Sequence, residues 1–482
     1  MCGIAAVYSS DELYQHVEAM QEKILHRGRD SRSVIRHGNT TVGFNRLAIT
    51  NISSEQPGRY GNTIVYLNGE IYNYKEFGTG TEMTVLAKSF DQYGINFVKK
   101  LNGMFAMIVI ISGRTYIVRD RYGVKPMYYW QNYNSIYFCS EIKGFTALPD
   151  FNPVLNQSAV DQFMAMNNVL TNETMFKGVY QVQPATIWCI ENSERYQYWQ
   201  WDFTPEPMPY ESAVVKVRDL VTVAIKRQTP SEVEFGTCLS GGIDSGIIRN
   251  VIGDKRSFTV GYAGEKDERE LSEQQQSLGM HIVYSSVTNF NETIESLEDI
   301  RVGASWPNYG LYELASKFVK VLFDGAGADE LFGGYPWRYD AQDYKSVVFR
   351  TGVDNNRSNY VYKNTGIDYS KTEGRLKFDA EYFLAGVLAV VDKLSSAHTI
   401  EVRVPFLDND LVDFMTTVPT EFKQNKQLLK DAFSDVLPVD VVQGKKKGFT
   451  SPNWIKSDGN NQAHKWANAA VTQLKKTYFH EA

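Results

Sequence analysis

A Pro-rich segment at residues 202–210, DFTPEPMPY, separates two parts of the chain that have different hydrophobic patterns. Before it, short runs rich in Val, Ile, Tyr and Phe alternate with turn residues, as is typical of strands and hairpins. Two helical stretches interrupt these runs, at Asp11–Ile24 and Glu82–Gln92. After the segment, strand patterns alternate with helical ones, which predicts βαβ units and a parallel sheet.

These patterns predict a layered α+β domain over residues 1–203 and an α/β domain with a parallel sheet over residues 204–482. Beyond about Tyr335 the pattern is mostly helical. In open parallel sheets, ligands bind beyond the carboxyl ends of the strands. The second part is predicted to begin with helix Glu211–Arg227, strand 233–239, helix 246–252, strand 257–263 and helix 269–280.

The composition excludes several classes of function. The chain of 482 residues has 50 Lys and Arg against 56 Asp and Glu, a net charge of −6, which disfavours an electrostatic nucleic-acid binder. Its longest apolar run, Met104–Ile111, is far shorter than the roughly 18 residues of a membrane helix and predicts a strand buried on both faces. No membrane association is expected.

Four scattered cysteines, with no CxxC pair, predict neither a disulfide framework nor a zinc site. They favour a reducing, cytoplasmic setting. Cys2 follows Met1 directly, so removal of Met1 would leave a thiol and an α-amine on one residue. An α-amine with a pKa near about 7.7–8.0 can act as the base for its own thiol. The alternative is that Cys2 is only a small apolar residue at the start of the first strand.

Seven motifs follow one another in the first part of the chain and together resemble a class II glutamine amidotransferase domain with an N-terminal nucleophile fold. They are MCGIAAV, HRGRD (26–30), RLAITNISSEQP (46–57), NGEIYNY (68–74), LNGMFA (101–106), RDRYGVKPMYY (119–129) and FCSEIK (138–143).

The resemblance implies that Cys2 attacks the side-chain amide of glutamine, forming a thioester and releasing ammonia. It further implies that Arg46 pairs with the α-carboxylate of glutamine and that Asn68 and Gly69 form the oxyanion hole. Leu47 and Glu70 complete the implied glutamine-binding residues. Taken alone, Arg46 could equally be a solvated strand charge, and Asn68–Gly69 an ordinary hairpin turn.

One position in the first part departs from the family pattern. The family carries Ser-Asp-Thr-Glu where this chain has Thr79-Gly80-Thr81-Glu82, so Gly80 replaces the acid that holds the amino group of glutamine. The preceding segment is also shorter than in the family. Ammonia could therefore be the effective nitrogen donor, and Glu82 could compensate only if the shortened loop directs it to the substrate.

SGGIDS, residues 240–245, lies between a predicted strand and a predicted helix. A Gly-rich turn that opens a helix presents free N–H groups and a positive dipole end to phosphate. The segment has no GxxxxGK[ST] signature and is not a Walker A loop. It resembles the pyrophosphate loop of N-type ATP pyrophosphatases, which implies that Asp244 helps to hold magnesium, a cation that prefers oxygen ligands.

A second strand and Gly-rich turn, VLFDGAGADELFGGY at residues 321–335, resembles the other adenylate-binding turn of the asparagine synthetase family and implies Asp329 as a second magnesium ligand. Segments 398–414 and 444–452 extend the resemblance, and Lys446 matches the lysine that neutralises the phosphates. The implied ATP- and pyrophosphate-binding residues are Leu239, Ser240, Gly241, Gly242, Asp244, Ser245, Val260, Asp324, Gly325 and Lys446.

The resemblance runs from Met1 to about Trp454 and combines both halves of the glutamine-hydrolysing asparagine synthetase family. It implies ATP-dependent amidation of aspartate through a β-aspartyl-AMP intermediate, with glutamine or ammonia as nitrogen donor, Mg²⁺ as cofactor and a homodimer as one possible assembly. The family carries an acid at the position of Ala326, and alanine cannot accept a proton. Asp324, two positions earlier, is the candidate substitute.

Three other functions stay open. The first is an amidotransferase acting on another carboxylate, or a ring-closing relative similar to β-lactam synthetase, although Cys2 weighs against the latter. The second is a degenerate, ammonia-dependent or non-catalytic homologue, favoured by Gly80 and Ala326. The third is a bare glutaminase, disfavoured by the phosphate-site residues of the second part.

Overall fold

The computed structural model describes residues 1–253, 256–261, 280–284, 289–302, 307–444 and 457–480. Within these ranges the chain forms three β-sheets. Two antiparallel sheets belong to the first part of the chain, and one parallel sheet belongs to the second. The predicted fold class is therefore confirmed.

The first domain is a sandwich of two six-stranded sheets. One has the strand order β10-β8-β9-β1-β3-β2 and the other β12-β11-β7-β6-β5-β4. The strands are β1 (Gly3–Tyr8), β2 (Ser31–His37), β3 (Thr40–Arg46), β4 (Gly58–Tyr60), β5 (Thr63–Ile71), β6 (Gly103–Ile111), β7 (Arg114–Arg119), β8 (Tyr128–Asn132), β9 (Ser135–Cys139), β10 (Val179–Gln181), β11 (Thr186–Cys189) and β12 (Arg195–Gln197).

Apolar side chains from both sheets form the core between them, including Ile4, Phe44, Tyr66 and Ile108. Helix α1 (Tyr14–Lys23) packs on the outer face of the first sheet, and α2 (Glu82–Tyr93) packs on the outer face of the second. Strand β6 is covered on both faces, as its continuous apolar sequence predicts. The result is a four-layer arrangement of helix, sheet, sheet and helix.

The sheet of the second domain is parallel, with the strand order β15-β14-β13-β16-β17. Its strands are β13 (Phe235–Cys238), β14 (Arg256–Gly261), β15 (Met280–Tyr284), β16 (Val321–Phe323) and β17 (Glu401–Arg403). Because β13 and β16 are neighbours, the turns that follow them lie side by side at one edge of the sheet.

Helices surround this sheet and make up most of the region after Tyr335, as predicted. Among the described residues the helices after α2 are α3 (Gln157–Met166), α4 (Tyr210–Arg227), α5 (Ile243–Ile252), α6 (Phe290–Leu297), α7 (Pro307–Ala315), α8 (Ala328–Leu331), α9 (Pro336–Tyr339), α10 (Tyr344–Val348), α11 (Asn356–Lys363), α12 (Thr372–Phe378), α13 (Leu384–Ala397), α14 (Asn409–Thr417), α15 (Thr420–Lys423), α16 (Gln427–Ala432), α17 (Val439–Val442) and α18 (Gln462–Leu474).

The predicted helix bounds are close to the observed ones where capping residues fix them. Helix α2 begins after Thr81, whose hydroxyl accepts the N–H of Thr84, and ends at Gly94 with a positive φ of 69°. Helix α1 is shorter than its prediction by three residues at its start and one at its end. Of the predicted helix 269–280, residues 269–279 lie outside the described residues.

Candidate functional site

Cys2 lies immediately before β1 and is buried. Its thiol donates a hydrogen bond to the carbonyl of Leu47 at 3.8 Å, so two of the predicted site residues are in contact. Burial raises the pKa of the Cys2 thiol. Met1 is buried beside it, and burial lowers the pKa of the Met1 α-amine to about 5. The Met1 α-amine is therefore largely neutral at neutral pH.

Asn68 and Gly69 lie within β5, which contacts β1 across the sandwich. Gly69 has a φ of +140°, and a Cβ there would lie 1.9 Å from the carbonyl oxygen of Met104, so only glycine fits. The amide of Asn68 is fully buried, and neither its Nδ2 nor its Oδ1 has a hydrogen-bond partner among the described residues. An unpaired buried amide is a donor available to a bound group.

Arg46 ends β3 and is largely buried. Its guanidinium donates to the carbonyls of Asn51 and Ile52 at 2.9 and 2.8 Å, which ties the following loop to the strand. The carboxylate of Glu232, from the second domain, accepts the N–H groups of the same two residues at 2.8 and 3.1 Å. The loop beside Arg46 is thus held from both domains.

Glu70 directly follows Gly69 and is also buried. Thr50 donates to its Oε1 at 2.7 Å, and the guanidinium of Arg403 lies 3.3 Å from its Oε2. Burial raises the pKa of Glu70, and Arg403 opposes this rise. Glu70, one of the predicted glutamine-binding residues, therefore contacts the second domain through Arg403.

In the segment around Gly80, Glu82 does not take over the role of the missing acid, which the sequence had left open. Glu82 is buried, and its carboxylate accepts the N–H of Ile71 at 2.6 Å. Burial and the nearby Glu70 raise the pKa of Glu82 well above its usual range. Gly80 itself has a φ of +126°, a conformation that an aspartate would adopt only with strain. Glu82 therefore braces β5 in this structure.

Buried charges surround Met1 at the domain boundary. Arg27 donates to the carbonyl of Cys2 at 3.0 Å and pairs with Glu141 and Asp392 at 2.8 and 3.0 Å. Lys125 lies 3.6 Å from the carboxylate of Asp392. Because Glu141 belongs to the first domain and Asp392 to α13, this network joins the nucleophile to the second domain. Arg27, Lys125 and Glu141 each lie in one of the seven motifs, but the sequence gives no role for them.

The turn after β13 contains the residues predicted to bind pyrophosphate. Ser240, Gly241 and Gly242 lead into α5, and Gly241 has a positive φ of 75°. The hydroxyl of Ser245 accepts the N–H of Ser240 and lies 3.2 Å from the carbonyl oxygen of Gly242. Leu239 and Val260 border the turn, because the N–H of Leu239 donates to Phe258 in β14, the strand that contains Val260.

The turn after β16 meets the first turn closely. A Cβ on Gly325 would lie 2.9 Å from the Cβ of Asp244. Asp324 accepts the N–H of Ala326 at 2.9 Å, and burial raises the pKa of the Asp324 carboxyl, with Asp244 adding to the rise. The adjacency of β13 and β16 thus brings together the residues expected from two distant motifs.

Lys426 connects the two predicted magnesium ligands. Its ammonium lies 2.5 Å from Oδ2 of Asp244 and 2.6 Å from Oδ1 of Asp329. The other oxygen of Asp244, Oδ1, is buried without a hydrogen-bond partner among the described residues. Two carboxylates that converge on one positive charge, with an oxygen to spare, form a donor set suited to a divalent cation.

Three further observations bear on the site and its setting. Lys446 lies outside the described residues. Within the described ranges no group of three or more His, Cys, Asp or Glu residues could hold a metal ion. No described helix is long and apolar enough to cross a membrane. A cation between the two turns would therefore rely on two carboxylates together with oxygens of its substrates.

Residues 216–482, more than half of the chain, match the family model described as asparagine synthase, and residues 1–200 match the glutamine amidotransferase domain model. The chain belongs to the asparagine synthase family. The division of the domains after residue 203 stays a prediction.

Among the family's curated members, the chain is 26% identical to asparagine synthetase [glutamine-hydrolyzing] 1 of Bacillus subtilis, over 95% of this chain and 89% of that protein. It is 28% identical to putative asparagine synthetase [glutamine-hydrolyzing] 2 of Methanocaldococcus jannaschii, over 70% of this chain and 76% of that protein. Among solved structures, glutamine phosphoribosylpyrophosphate amidotransferase from B. subtilis matches with a TM-score of 0.32 and 13% identity, covering 59% of this chain and 82% of that one.

A buried pair next to the asparagine synthase turn was not foreseen from the sequence. Tyr335 donates to Oε1 of Glu330 at 3.0 Å, and burial, with Asp329 adding to it, raises the pKa of Glu330 to about 7. Arg338 pairs with Asp379 at 2.6 Å behind them. Glu330 and Tyr335 both lie in the segment 321–335, but Arg338 and Asp379 come from segments without a motif.

Proposed function

We propose that the protein makes asparagine from aspartate and ATP, with nitrogen from glutamine or ammonia, and releases AMP, pyrophosphate and, when glutamine is used, glutamate. The observation that carries this proposal is the convergence of Asp244 and Asp329 on one cationic group at the ends of two neighbouring strands. Membership of the asparagine synthase family and the names of the curated relatives support it.

The glutamine half of the reaction uses Cys2. After removal of Met1, the α-amine of Cys2 takes the proton of its thiol, and the sulfur attacks the amide carbon of glutamine. The unpaired amide of Asn68 and the N–H of Gly69 then stabilise the oxyanion. The α-ammonium of Cys2 returns this proton to the leaving nitrogen, ammonia departs, and water hydrolyses the thioester to glutamate. Arg46 and Glu70 hold the α-carboxylate and α-ammonium of the substrate.

The second half of the reaction activates aspartate. Its β-carboxylate attacks the α-phosphorus of ATP, and pyrophosphate leaves toward the N-terminus of α5. The sequence resemblance assigns the neutralisation of its charge to Lys446. Asp244 and Asp329 are the residues that would hold Mg²⁺, which when bound neutralises phosphate charge. In that arrangement Lys426 holds the two carboxylates close together.

Ammonia then attacks the acyl carbon of the adenylate and AMP leaves. The attacking nitrogen must lose a proton, and Ala326 has no group to accept it. We assign this role to Asp324, whose carboxyl lies beside Asp244 and has a raised pKa, which makes it a better base than a fully solvated aspartate. Its hydrogen bond from the N–H of Ala326 keeps it in the turn.

Four thiols free of disulfides agree with a reducing, cytoplasmic setting. The homodimer that the sequence analysis allows stays a prediction. The two domains are proposed to divide at residues 203–204.

The proposal is tested by incubating the purified protein with ATP, Mg²⁺ and aspartate, with glutamine and ammonium supplied separately. Asparagine and AMP in equal amounts from both donors are the expected result. Formation with ammonium alone would locate the defect at Gly80. If AMP forms without asparagine, and another carboxylic acid in place of aspartate gives more AMP, the acceptor is different. No AMP with either nitrogen donor would overturn the proposal.

A further inference from the structure

Arg403 links the glutamine pocket to the second domain through its side chain. It ends β17, is buried, and places Nη2 at 3.3 Å from Oε2 of Glu70. Its Nε donates to Glu401 at 3.1 Å, and its Nη1 donates to the carbonyl of Gln228. Two nitrogens of this guanidinium therefore donate hydrogen bonds to oxygens of the second domain, and the third forms an ion pair with Glu70 without a hydrogen bond.

The main chain of the same residue holds the adenylation turn. The carbonyl of Arg403 accepts the N–H of Asp324 at 2.9 Å, and β17 pairs in parallel with β16 in register with Phe323. Asp324 opens the turn that contacts Asp244 through Gly325. One residue therefore contacts a carboxylate in the first pocket and the backbone of the second.

We propose that Arg403 is a positioning residue that couples the two sites, so that nucleotide and aspartate bound at the Asp324 turn increase the affinity of the Glu70 pocket for glutamine. This inference rests on the proposed function. Ligands at the turn restrain the bond between Asp324 and the Arg403 carbonyl and thereby fix the guanidinium. Glu70 is then ordered before glutamine arrives, and the entropy lost on glutamine binding is smaller.

A second contact across the same boundary supports this direction of coupling. The carboxylate of Glu232 holds the backbone of Asn51 and Ile52, whose carbonyls in turn hold Arg46. Both charged residues assigned to glutamine are therefore positioned by groups of the second domain, so the pocket is complete only when the second domain is in place.

Arginine is suited to this role because its planar fork binds several oxygens in a fixed geometry. A lysine at the same place would keep the positive charge between Glu70 and Glu401. It could not hold Glu70, Glu401 and the Gln228 carbonyl with one geometry. The variant R403K therefore separates the charge of Arg403 from its positioning function.

The test compares the KM for glutamine with and without aspartate and a non-cleavable ATP analogue with a methylene bridge between the α- and β-phosphates. In the unmodified enzyme we expect the ligands to lower this KM at least about fivefold, the lower end for coupled binding sites. In R403K the same ligands should change it less than about twofold, while asparagine formation from ammonium continues. R403Q should abolish the shift; if R403Q does not fold, R403K decides alone.

R121Q is the matched control. Arg121 also pairs across the domain boundary, with Asp413 at 2.8 Å, but it belongs to neither site. We expect it to keep the full ligand-induced shift. The coupling alone is overturned if the unmodified enzyme makes asparagine but its KM for glutamine does not change with the ligands. It is also overturned if R403K keeps the full change in KM, or if R121Q loses it to the same extent as R403K. An enzyme that makes no asparagine from either donor overturns the proposed function, and the coupling with it.

Discussion

Lys426 and Asp244, separated by 182 positions in the chain, form a partly buried ion pair with 2.5 Å between Nζ and Oδ2. Lys426 also contacts Asp329, so one ammonium neutralises two carboxylates that would otherwise repel each other. Its pKa is raised, because the attraction of the two carboxylates outweighs the effect of burial. This arrangement assembles the adenylation turns before any substrate binds.

We expect K426M to lower the free energy of unfolding by at most about 3–5 kcal/mol, the cost of breaking a fully buried pair, because it removes the ammonium that lies between two partly buried carboxylates. Urea unfolding without added metal measures this change. Millimolar Mg²⁺ should restore part of the stability of the variant and change the unmodified protein less. The control is K430M, four residues further on in α16, where the side chain is half-buried. Equal losses in both variants would contradict the pairing role.

N68A should reduce the rate of glutamine hydrolysis about 10²–10³-fold, the usual cost of one oxyanion-hole donor. Asparagine formation from ammonium should not change. Because the amide of Asn68 has no partner among the described residues, its loss should not lower the thermal stability. N102A is the contrasting control, since Asn102 bonds Asp408 and Asn409 and its loss should lower stability. A strongly destabilised N68A would argue that the amide is structural.

C2A should lose the glutamine-driven reaction and keep the ammonium-driven one, because only the first requires the thiol. Parallel assays of asparagine with the two donors measure this split. C189A removes another buried thiol and should affect neither reaction. Residual glutamine-driven activity in C2A equal to that of C189A would show that Cys2 is merely the start of β1.

Lys423 is buried against the ring of Phe203, and this burial lowers its pKa to about 7, with Glu373 opposing the fall. The unfolded chain therefore binds more protons than the folded one between pH 7 and the ordinary lysine value near about 10.4. Over that interval stability should rise with pH by up to about 1.4 kcal/mol per pH unit from this group. K423M should remove this contribution; identical pH profiles of unfolding would disprove it.

The fold could be predicted from the sequence because its signals are local. The change at residues 202–210 separates two strand patterns, and Thr81 and Gly94 mark the ends of α2 by their chemistry. The bounds of β17 could not be predicted in this way. The bounds of this three-residue strand are set by its pairing with β16, in which Glu401 lies opposite Val321, 80 positions earlier in the chain.

The sequence predicts candidate site residues where one short motif contains both the turn and the helix start, as in residues 240–245, and their functional roles stay predictions. The residues that connect motifs escaped prediction. Lys426 and Glu232 contact partners far away in the chain, and in the sequence each reads as an ordinary surface charge. Arg403 lies in segment 398–414, which extended the resemblance without giving this residue a role. Glu82 is a different case. From the sequence it could have replaced the acid missing at Gly80, but its carboxylate instead accepts the N–H of Ile71.

The central claim is that one chain activates the β-carboxylate of aspartate as an adenylate and transfers ammonia to it. Aspartate labelled with ¹⁸O in the β-carboxylate, incubated with ATP, Mg²⁺ and ammonium, tests this claim most directly. The account predicts one ¹⁸O atom in the phosphate of each AMP released, together with asparagine. Asparagine accompanied by unlabelled AMP, or label found in pyrophosphate or inorganic phosphate, would contradict it.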